Sequence, residues 1–477
     1  MKNQLVRLAE KVLGHMSHYS EGHHKGGVLL TGDPGVGKAQ PLDAKIKTPT
    51  GWITMGDVVA GDCVLTARGT LTRVVNTFPQ DEKQIYTIVF ADGRTVRACG
   101  EHLWKVKKMR AKSWEILDTY HIKHLLETTK RRIHIPLICN NDPYVEVPID
   151  PYFLGCLLGD GGFTSSSLTF TTADQEILDL LTERLLPGYE FKKENTQKYD
   201  YRLIRSTTNR ALGESPISGH FYNDYRKYLS VLGLLGHRSE TKFVPSIYKN
   251  TSAAQKLDLL AGLIDTDGYI SKNGAVSFST SSEHLAKDVQ ELVWSVGGIA
   301  KITHRHPTFT YKGEKKQGRV SYNVSIRYSD PSALVKLSRK KSCLSAQYQY
   351  QDLKLEIVRI DQDTVEQAKC ILVEDAEHLY VTDNYVVTHN TTFVETLASL
   401  LGIHAVVVEV PHITEEHLIN IPFIVFNPQS NSTQTGVQQI TSEYKLVLAQ
   451  SNLYNQLAHA RPMEDHAYIE HIKHSPN

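Results

Sequence analysis

Hydrophobic positions along the chain follow two periods, and each period predicts its own elements. Residues 86–90 (YTIVF) and 355–360 (LEIVRI) alternate apolar and polar positions, which predicts strands. The same alternation recurs at 168–172 (LTFTT) and 276–280 (VSFST), each time followed by helical spacing that predicts an amphipathic helix. Residues 1–15 also have helical spacing, and so do residues 391–401, which stop at Gly402. Short apolar runs at Val28-Leu29-Leu30-Thr31 and at 405–410 (AVVVEV) predict buried strands. At about 150 residues per domain, the 477 residues predict about three domains.

Composition narrows the class. With 40% hydrophobic and 22% charged residues, the chain is neither disordered nor supercharged. Its 53 Lys+Arg against 52 Asp+Glu exclude a basic field over the whole chain, but leave room for a local nucleic-acid surface. No run of 18 apolar residues occurs and the N-terminus does not read as a signal peptide, so a soluble, cytoplasmic, monomeric protein away from membranes is expected. Six cysteines without a C-x-x-C pair argue against a zinc site or a disulfide scaffold, so a special cysteine here is expected to be a nucleophile.

The first chemical motif is interrupted. After the strand at 28–31 comes Gly32-Asp33-Pro34-Gly35-Val36-Gly37-Lys38, most of a P-loop, in which the glycines form a backbone nest and the lysine meets the phosphates. The Ser or Thr that should hold Mg²⁺ is missing, because Ala39-Gln40-Pro41 follows. Joining Lys38 to Thr391 restores the motif: GDPGVGK runs into TTFVETLASLLG and then the strand at 405–410. Residues 39–390 therefore read as an insertion. The restored loop predicts that Gly32, Gly35, Gly37, Lys38 and Thr391 bind ATP with Mg²⁺ once the block has gone.

The block resembles an intein, a self-splicing insert. Its left edge at 41–52 (PLDAKIKTPTGW), continued by Met55-Gly56-Asp57-Val58 and Gly61-Asp62, is similar to an intein start, and Tyr385-Val386-Val387-Thr388-His389-Asn390 before Thr391 is similar to an intein end. Asn390 can cyclise on its own carbonyl, with His389 as proton partner and Thr391 as acyl acceptor. The first residue departs from the common pattern, since Ala39 has no nucleophile. The stretches VRACGEHLW (96–104) and AKCILVEDAEHLY (368–380) carry His102, Trp104, Cys370 and His378, and Thr388 precedes the terminal pair. This Trp, Cys, Thr combination resembles class 3 inteins. It implies that Cys370 attacks the Lys38 carbonyl while His102 protonates the leaving Ala39 nitrogen. Cys99 stands where the family normally has Thr. The competing explanation is a class 1 intein blocked by a change to Ala39.

The middle of the block carries a repeat. FLGCLLGDG (153–161) and LAGLIDTDG (260–268) match position for position, and the alternating strands follow both. The pair resembles LAGLIDADG homing endonucleases. Close helix packing at Gly155 and Gly262 would bring Asp160 and Asp267 together to hold Mg²⁺. The resemblance implies double-stranded DNA, the intein-free allele, as the partner and Lys242 as a catalytic lysine, with Lys340 or Lys341 as its counterpart. Basic residues including Lys301, Arg305, Lys312, Lys315, Lys316 and Arg319 are expected to meet phosphates, with Lys105, Lys107, Lys108, Arg110 and Lys112 as a second run.

The expected architecture is multidomain. An all-β Hint splicing domain (39–148 and 346–390) is split by an α+β endonuclease domain with a duplicated αββαββα order (149–345), and α/β P-loop exteins (1–38 and 391–477) flank both. The flanks resemble an AAA-type ATPase whose acidic strand is expected beyond residue 477. A P-loop NTPase with a non-splicing regulatory or DNA-binding insert is the rival from another class.

Overall fold

The computed structural model describes residues 28–31, 38–129, 131–139, 141–164, 167–194, 197–206, 223–271, 274–311, 314–344, 352–390, 405–408, 423–427 and 446–450. The predicted strands at 86–90 and 355–360 belong to much longer ones, Leu71–Phe90 and Leu355–Val373, which pair antiparallel. Most strands run for about five or six residues, so ribbons of this length need relief from accumulating twist. The register shifts at four places along the pair, and such bulges bend the ribbon.

Both ends of the block return to this ribbon's sheet. Gln40–Pro41 pairs with the second long strand, Gln40 opposite Lys369 and Pro41 opposite Ala368. The closing strand Val386–His389 pairs with Leu379–Thr382, and His389 also lies opposite Leu103. Twelve strands join in this one sheet system. Ile88, Phe90, Trp104, Val106, Ile133, Leu355 and Val386 fill one of its cores.

Two helices organise the centre of the chain. Pro151–Asp160 is started by Asp150, whose carboxylate accepts from Phe153 N, with proline in the first turn. Ala253–Asp267 is started by a capping box between Ser252 and Gln255. The helices touch through glycine: a Cβ on Gly155 would lie 2.2 Å from the Leu259 carbonyl oxygen, and one on Gly262 2.2 Å from that of Tyr152. Each helix runs into a four-stranded antiparallel sheet, and in both sheets the spatial order is first, second, fourth, third strand of the chain. The main hydrophobic core includes Leu65, Leu379, Tyr385 and Val387 from the splicing-type sheet together with Leu154, Leu263 and Trp294 from the helical part. The two parts are fused through it.

The flanks share a sheet of their own. Val28–Thr31 pairs parallel with Phe423–Asn427, which pairs with Leu446–Gln450, which pairs with Ala405–Val408. Segments on either side of the block thus belong to one parallel sheet. Gly32, Gly35, Gly37, Thr391 and the helical patterns at 1–15 and 391–401 lie outside the described residues.

Candidate functional site

The sheet pairing sets the first site. Continuing the antiparallel register from Gln40 opposite Lys369 by one residue sets Ala39 opposite Cys370. The Lys38–Ala39 amide is enclosed, with Lys38 4% and Ala39 0% exposed. Its N–H donates to Cys99 Sγ at 3.1 Å, and its carbonyl oxygen lies 3.0 Å from His102 Nδ1. The other ring nitrogen, Nε2, meets the Thr388 hydroxyl.

Burial pushes the His102 imidazole down to about 4, so the ring is neutral near pH 7. A carbonyl only accepts, which puts the ring proton on Nδ1 and leaves Nε2 to accept from Thr388. His102 is therefore placed to polarise the Lys38 carbonyl. The ring faces the oxygen of the amide, not its nitrogen, so the expected proton transfer from His102 to Ala39 has the wrong atom opposite it. The nitrogen instead touches Cys99, whose thiol burial pushes up to about 12. Trp104 is fully buried, its ring centroid 5.1 Å from that of His102, and its indole N–H donates to Thr119 Oγ1 at 2.9 Å. Thr119 also bonds the His102 carbonyl, which fixes the backbone under the ring.

The far junction packs against the same strand. Asn390 Nδ2 donates to the Ile371 carbonyl, and the Cys370 thiol donates to that oxygen too, at 3.5 Å. Asn390 Oδ1 has no hydrogen-bond partner among the described residues. Burial pushes Cys370 up to about 11, partly offset by the Lys38 charge. His389 is held far below the usual imidazole range, by burial first and then by His378, Lys38 and His102. His378 adopts a left-handed φ of 52°, and its ring centroid is 6.2 Å from that of His389. The structure thus gathers Lys38, Ala39, Cys99, His102, Thr388 and Asn390 with Cys370 beside them. Thr119 and the Ile371 carbonyl were missed in sequence, because a threonine at a helix start and a main-chain oxygen carry no motif.

The second site lies where the paired helices end. Asp160 is half-buried and Asp267 is exposed. Asp160 is pushed up to about 6, by enclosure first and then by the Asp267 charge, and enclosure also raises Asp267. Two neighbouring carboxylates, one raised by the charge of the other and one exposed, suit a divalent cation. Lys242 Nζ donates to the Leu157, Gly159 and Gly161 carbonyls at 3.1, 3.0 and 2.9 Å. Lys340 does the same at the second helix, to Ile264, Asp265 and Gly268. Lys340, not Lys341, is the counterpart of Lys242. Burial lowers Lys242 to about 8, while the Asp267 and Asp160 charges oppose it.

The basic runs divide. Lys301 and Arg305 are exposed on the strand Ile299–Arg305. Arg319 pairs with Glu240 at 2.9 Å. In the second run Lys105 pairs with Glu377 and Lys108 with Glu115, which draws both into the splicing-type sheet. Lys312 lies outside the described residues. Among the described residues no helix is long and apolar enough to cross a membrane.

A β-rich domain whose two ends converge on a buried amide, interrupted by a two-helix domain with paired carboxylates, fits the intein with a homing-endonuclease-type insert that the sequence motifs resemble. Residues 254–333 match the model of the LAGLIDADG-like domain. The chain is 29% identical over 395 residues to a replicative DNA helicase DnaB of Mycobacterium intracellulare, covering 76% of this chain and 60% of the relative. It is 40% identical to the solved MchDnaB-1 intein over 14% of this chain and 54% of that one, with a TM-score of 0.15. The solved complex of I-DmoI with DNA and calcium matches over 41% of this chain and 96% of that one, at 12% identity and a TM-score of 0.25. The flanks make up about a quarter of the chain, so at least half of the chain's length is matched to the helicase inside residues 39–390.

Proposed function

We propose that residues 39–390 excise themselves and join Lys38 to Thr391. The observation that carries this reading is the Lys38–Ala39 amide, gripped at its oxygen by His102 and at its nitrogen by Cys99. With no nucleophile at Ala39, the Cys370 thiolate attacks the Lys38 carbonyl in the class 3 manner. His102 and its Thr388 partner stabilise the developing oxyanion, and the Ala39 amine leaves with the proton given up by the Cys370 thiol. Thr391 then takes the acyl group from the thioester, Asn390 cyclises beside His389 to free the block, and the released Thr391 amine attacks the ester so that an O-to-N shift leaves a Lys38–Thr391 peptide bond. Lys38, Ala39 and Cys370 are enclosed together, and positioning of reacting groups can supply about 7 to 11 kcal/mol. A gel of the expressed chain tests the reading. Splicing yields the excised block and the joined flanks as separate bands, whereas a regulatory insert leaves a single chain.

The central domain, with its duplicated order of elements, is proposed to cut double-stranded DNA at the intein-free allele. Asp160 and Asp267 would hold Mg²⁺, which activates water and stabilises the phosphodiester charge. Lys242 and Lys340 set the helix ends that present those carboxylates, and Lys301 and Arg305 would meet phosphates. Failure of the purified protein to cut that DNA with Mg²⁺ present rejects this part alone. For the flanks we propose an ATP-binding P-loop domain of the AAA type, completed only by splicing. The parallel sheet joining Val28–Thr31 to the downstream strands supports it. Helicase activity belongs to the relatives' name, and the chain spans 60% of the first of them. Nucleotide binding by the joined flanks but not by a splice-blocked precursor is the test.

A further inference from the structure

We infer that the nuclease-type domain is a working part of the splicing site: Trp294 and Arg94 clamp the turn from which the C-terminal junction strand springs, which makes Arg94 a positioning residue. The inference rests on the splicing reading above. The turn is Asp383–Tyr385, directly before Val386–His389. Within it Asn384 and Tyr385 hold φ of 58° and 57°, the left-handed region that disfavours side chains, and for a residue as bulky as tyrosine this is a true outlier. Two such residues in succession persist only where the surroundings over-determine them.

Arg94 supplies much of that determination. Its side chain has no exposure, and its guanidinium serves four groups at once. Nε donates to Asp92 at 3.0 Å, Nη1 to the carbonyls of Asn384 and Tyr385 at 3.4 Å each, and Nη2 to the Gly298 carbonyl at 3.0 Å. The last contact crosses into the nuclease-type domain. So does the stacking, for the guanidinium lies 5.0 Å from the ring of Trp294 on the helix Glu283–Ser295. Only a planar fork of donors can meet these groups together. Tyr385 itself packs edge-on against Trp52 within the core that both domains share.

The strand that leaves this turn carries Thr388, which holds the His102 tautomer, and leads to Asn390. Without the clamp the turn relaxes toward ordinary φ values, and both junctions lose register. Loss of geometry on the scale of 1 Å can cost about a hundredfold in rate.

The test follows splicing of the full chain by pulse and chase, with three variants. Trp294→Ala is expected to slow product formation about tenfold or more, with precursor and branched species accumulating, and Trp294→Phe to recover most of the rate by restoring an aromatic face. Leu181→Ala, a core truncation in the first half of the nuclease-type domain, is expected to destabilise that domain yet splice at the parental rate. Parental-rate splicing by Trp294→Ala overturns the inference. So does equal slowing by Leu181→Ala, which would mean that loss of the domain's fold is the whole effect. If the unmodified chain stays a single band, the splicing reading fails instead.

Discussion

His102 places Nδ1 3.0 Å from the carbonyl oxygen of Lys38, the oxygen on which negative charge would develop if that amide were attacked. A buried neutral donor already aimed at a developing oxyanion contributes most where water is absent, and loss of one such donor typically costs about 10² to 10³ in rate. His102→Ala is therefore expected to slow formation of the branched intermediate by that order. Cleavage at Asn390, measured separately from the C-terminal fragment, should fall far less. Equal losses at both junctions would show that His102 acts through the fold.

The pH profile of the first step should follow Cys370. Its thiol is pushed up to about 11, so the reactive thiolate is scarce at neutrality and its fraction grows about tenfold per pH unit until that value is approached. Initial rates of branch formation from pH 7 to 9 should rise accordingly, and Cys370→Ala should form no branch. A flat profile, or branch formation by the alanine variant, would remove Cys370 from this role.

Acid should weaken the fold through the same imidazole. His102 is lowered from 6.5 to about 4 in the folded chain, so between these values the unfolded state takes up a proton that the folded state refuses. Stability is thus intact above pH 6.5 and lost as pH falls toward 4, by about 3 kcal/mol from this residue alone. Urea unfolding of a Cys370→Ala/Asn390→Ala precursor at a series of pH values measures it. His102→Phe in that background should reduce the slope, leaving the part that the lowered His389 contributes.

How much of this could be read in the chain differs from residue to residue. The broken P-loop marks Lys38 and Asn390 as the edges of the block, and the matched repeats single out Asp160 and Asp267, because each motif has a fixed spacing. Gly155 and Gly262 were legible for the same reason: close helix approach demands glycine, and glycine is visible. Arg94 was not. Asp92 and Arg94 carry no motif, and both are buried where the helix Glu283–Ser295, about two hundred residues on, brings Trp294 against the guanidinium. The side of the amide that His102 would face was equally invisible, since a three-residue spacing from Cys99 fixes proximity but not which ring nitrogen meets which atom. Lys340 and Lys341 could not be separated until the helix Ser338–Lys341 turned one of them inward.

The glycine contact predicts a selective defect. Gly262→Ala would set a methyl 2.2 Å from the Tyr152 carbonyl oxygen, main chain that cannot swing aside. The helices must separate, at a cost of about 1 to 3 kcal/mol or more. Separation also parts Asp160 from Asp267 at the helix ends, so Mg²⁺-dependent cutting should fall more than DNA binding does. Gel shift and cleavage assays on one preparation distinguish the two.

The carboxylates themselves allow the sharpest test of the second site. Enclosure first and then the Asp267 charge push the metal-free Asp160 carboxyl up to about 6, so protons should compete with Mg²⁺ for it as the pH falls through 6, and cleavage at limiting Mg²⁺ should decline over that interval. Asp267→Asn removes the neighbouring charge. It should bring the Asp160 titration down towards the ordinary carboxylate range while abolishing cutting, since one carboxylate is a poor substitute for two around a divalent cation. Both outcomes are measurable on the same variant, the first by NMR titration of the Asp160 carboxyl and the second by cleavage of DNA that encodes the joined Lys38–Thr391 junction. Splicing of Asp267→Asn should proceed at the parental rate, because that side chain lies at the helix ends and none of its contacts reaches the Lys38–Ala39 amide. Retained DNA cutting by Asp267→Asn would place the metal elsewhere, whereas an unmoved Asp160 titration would show that enclosure alone, without its neighbour, raises that carboxyl.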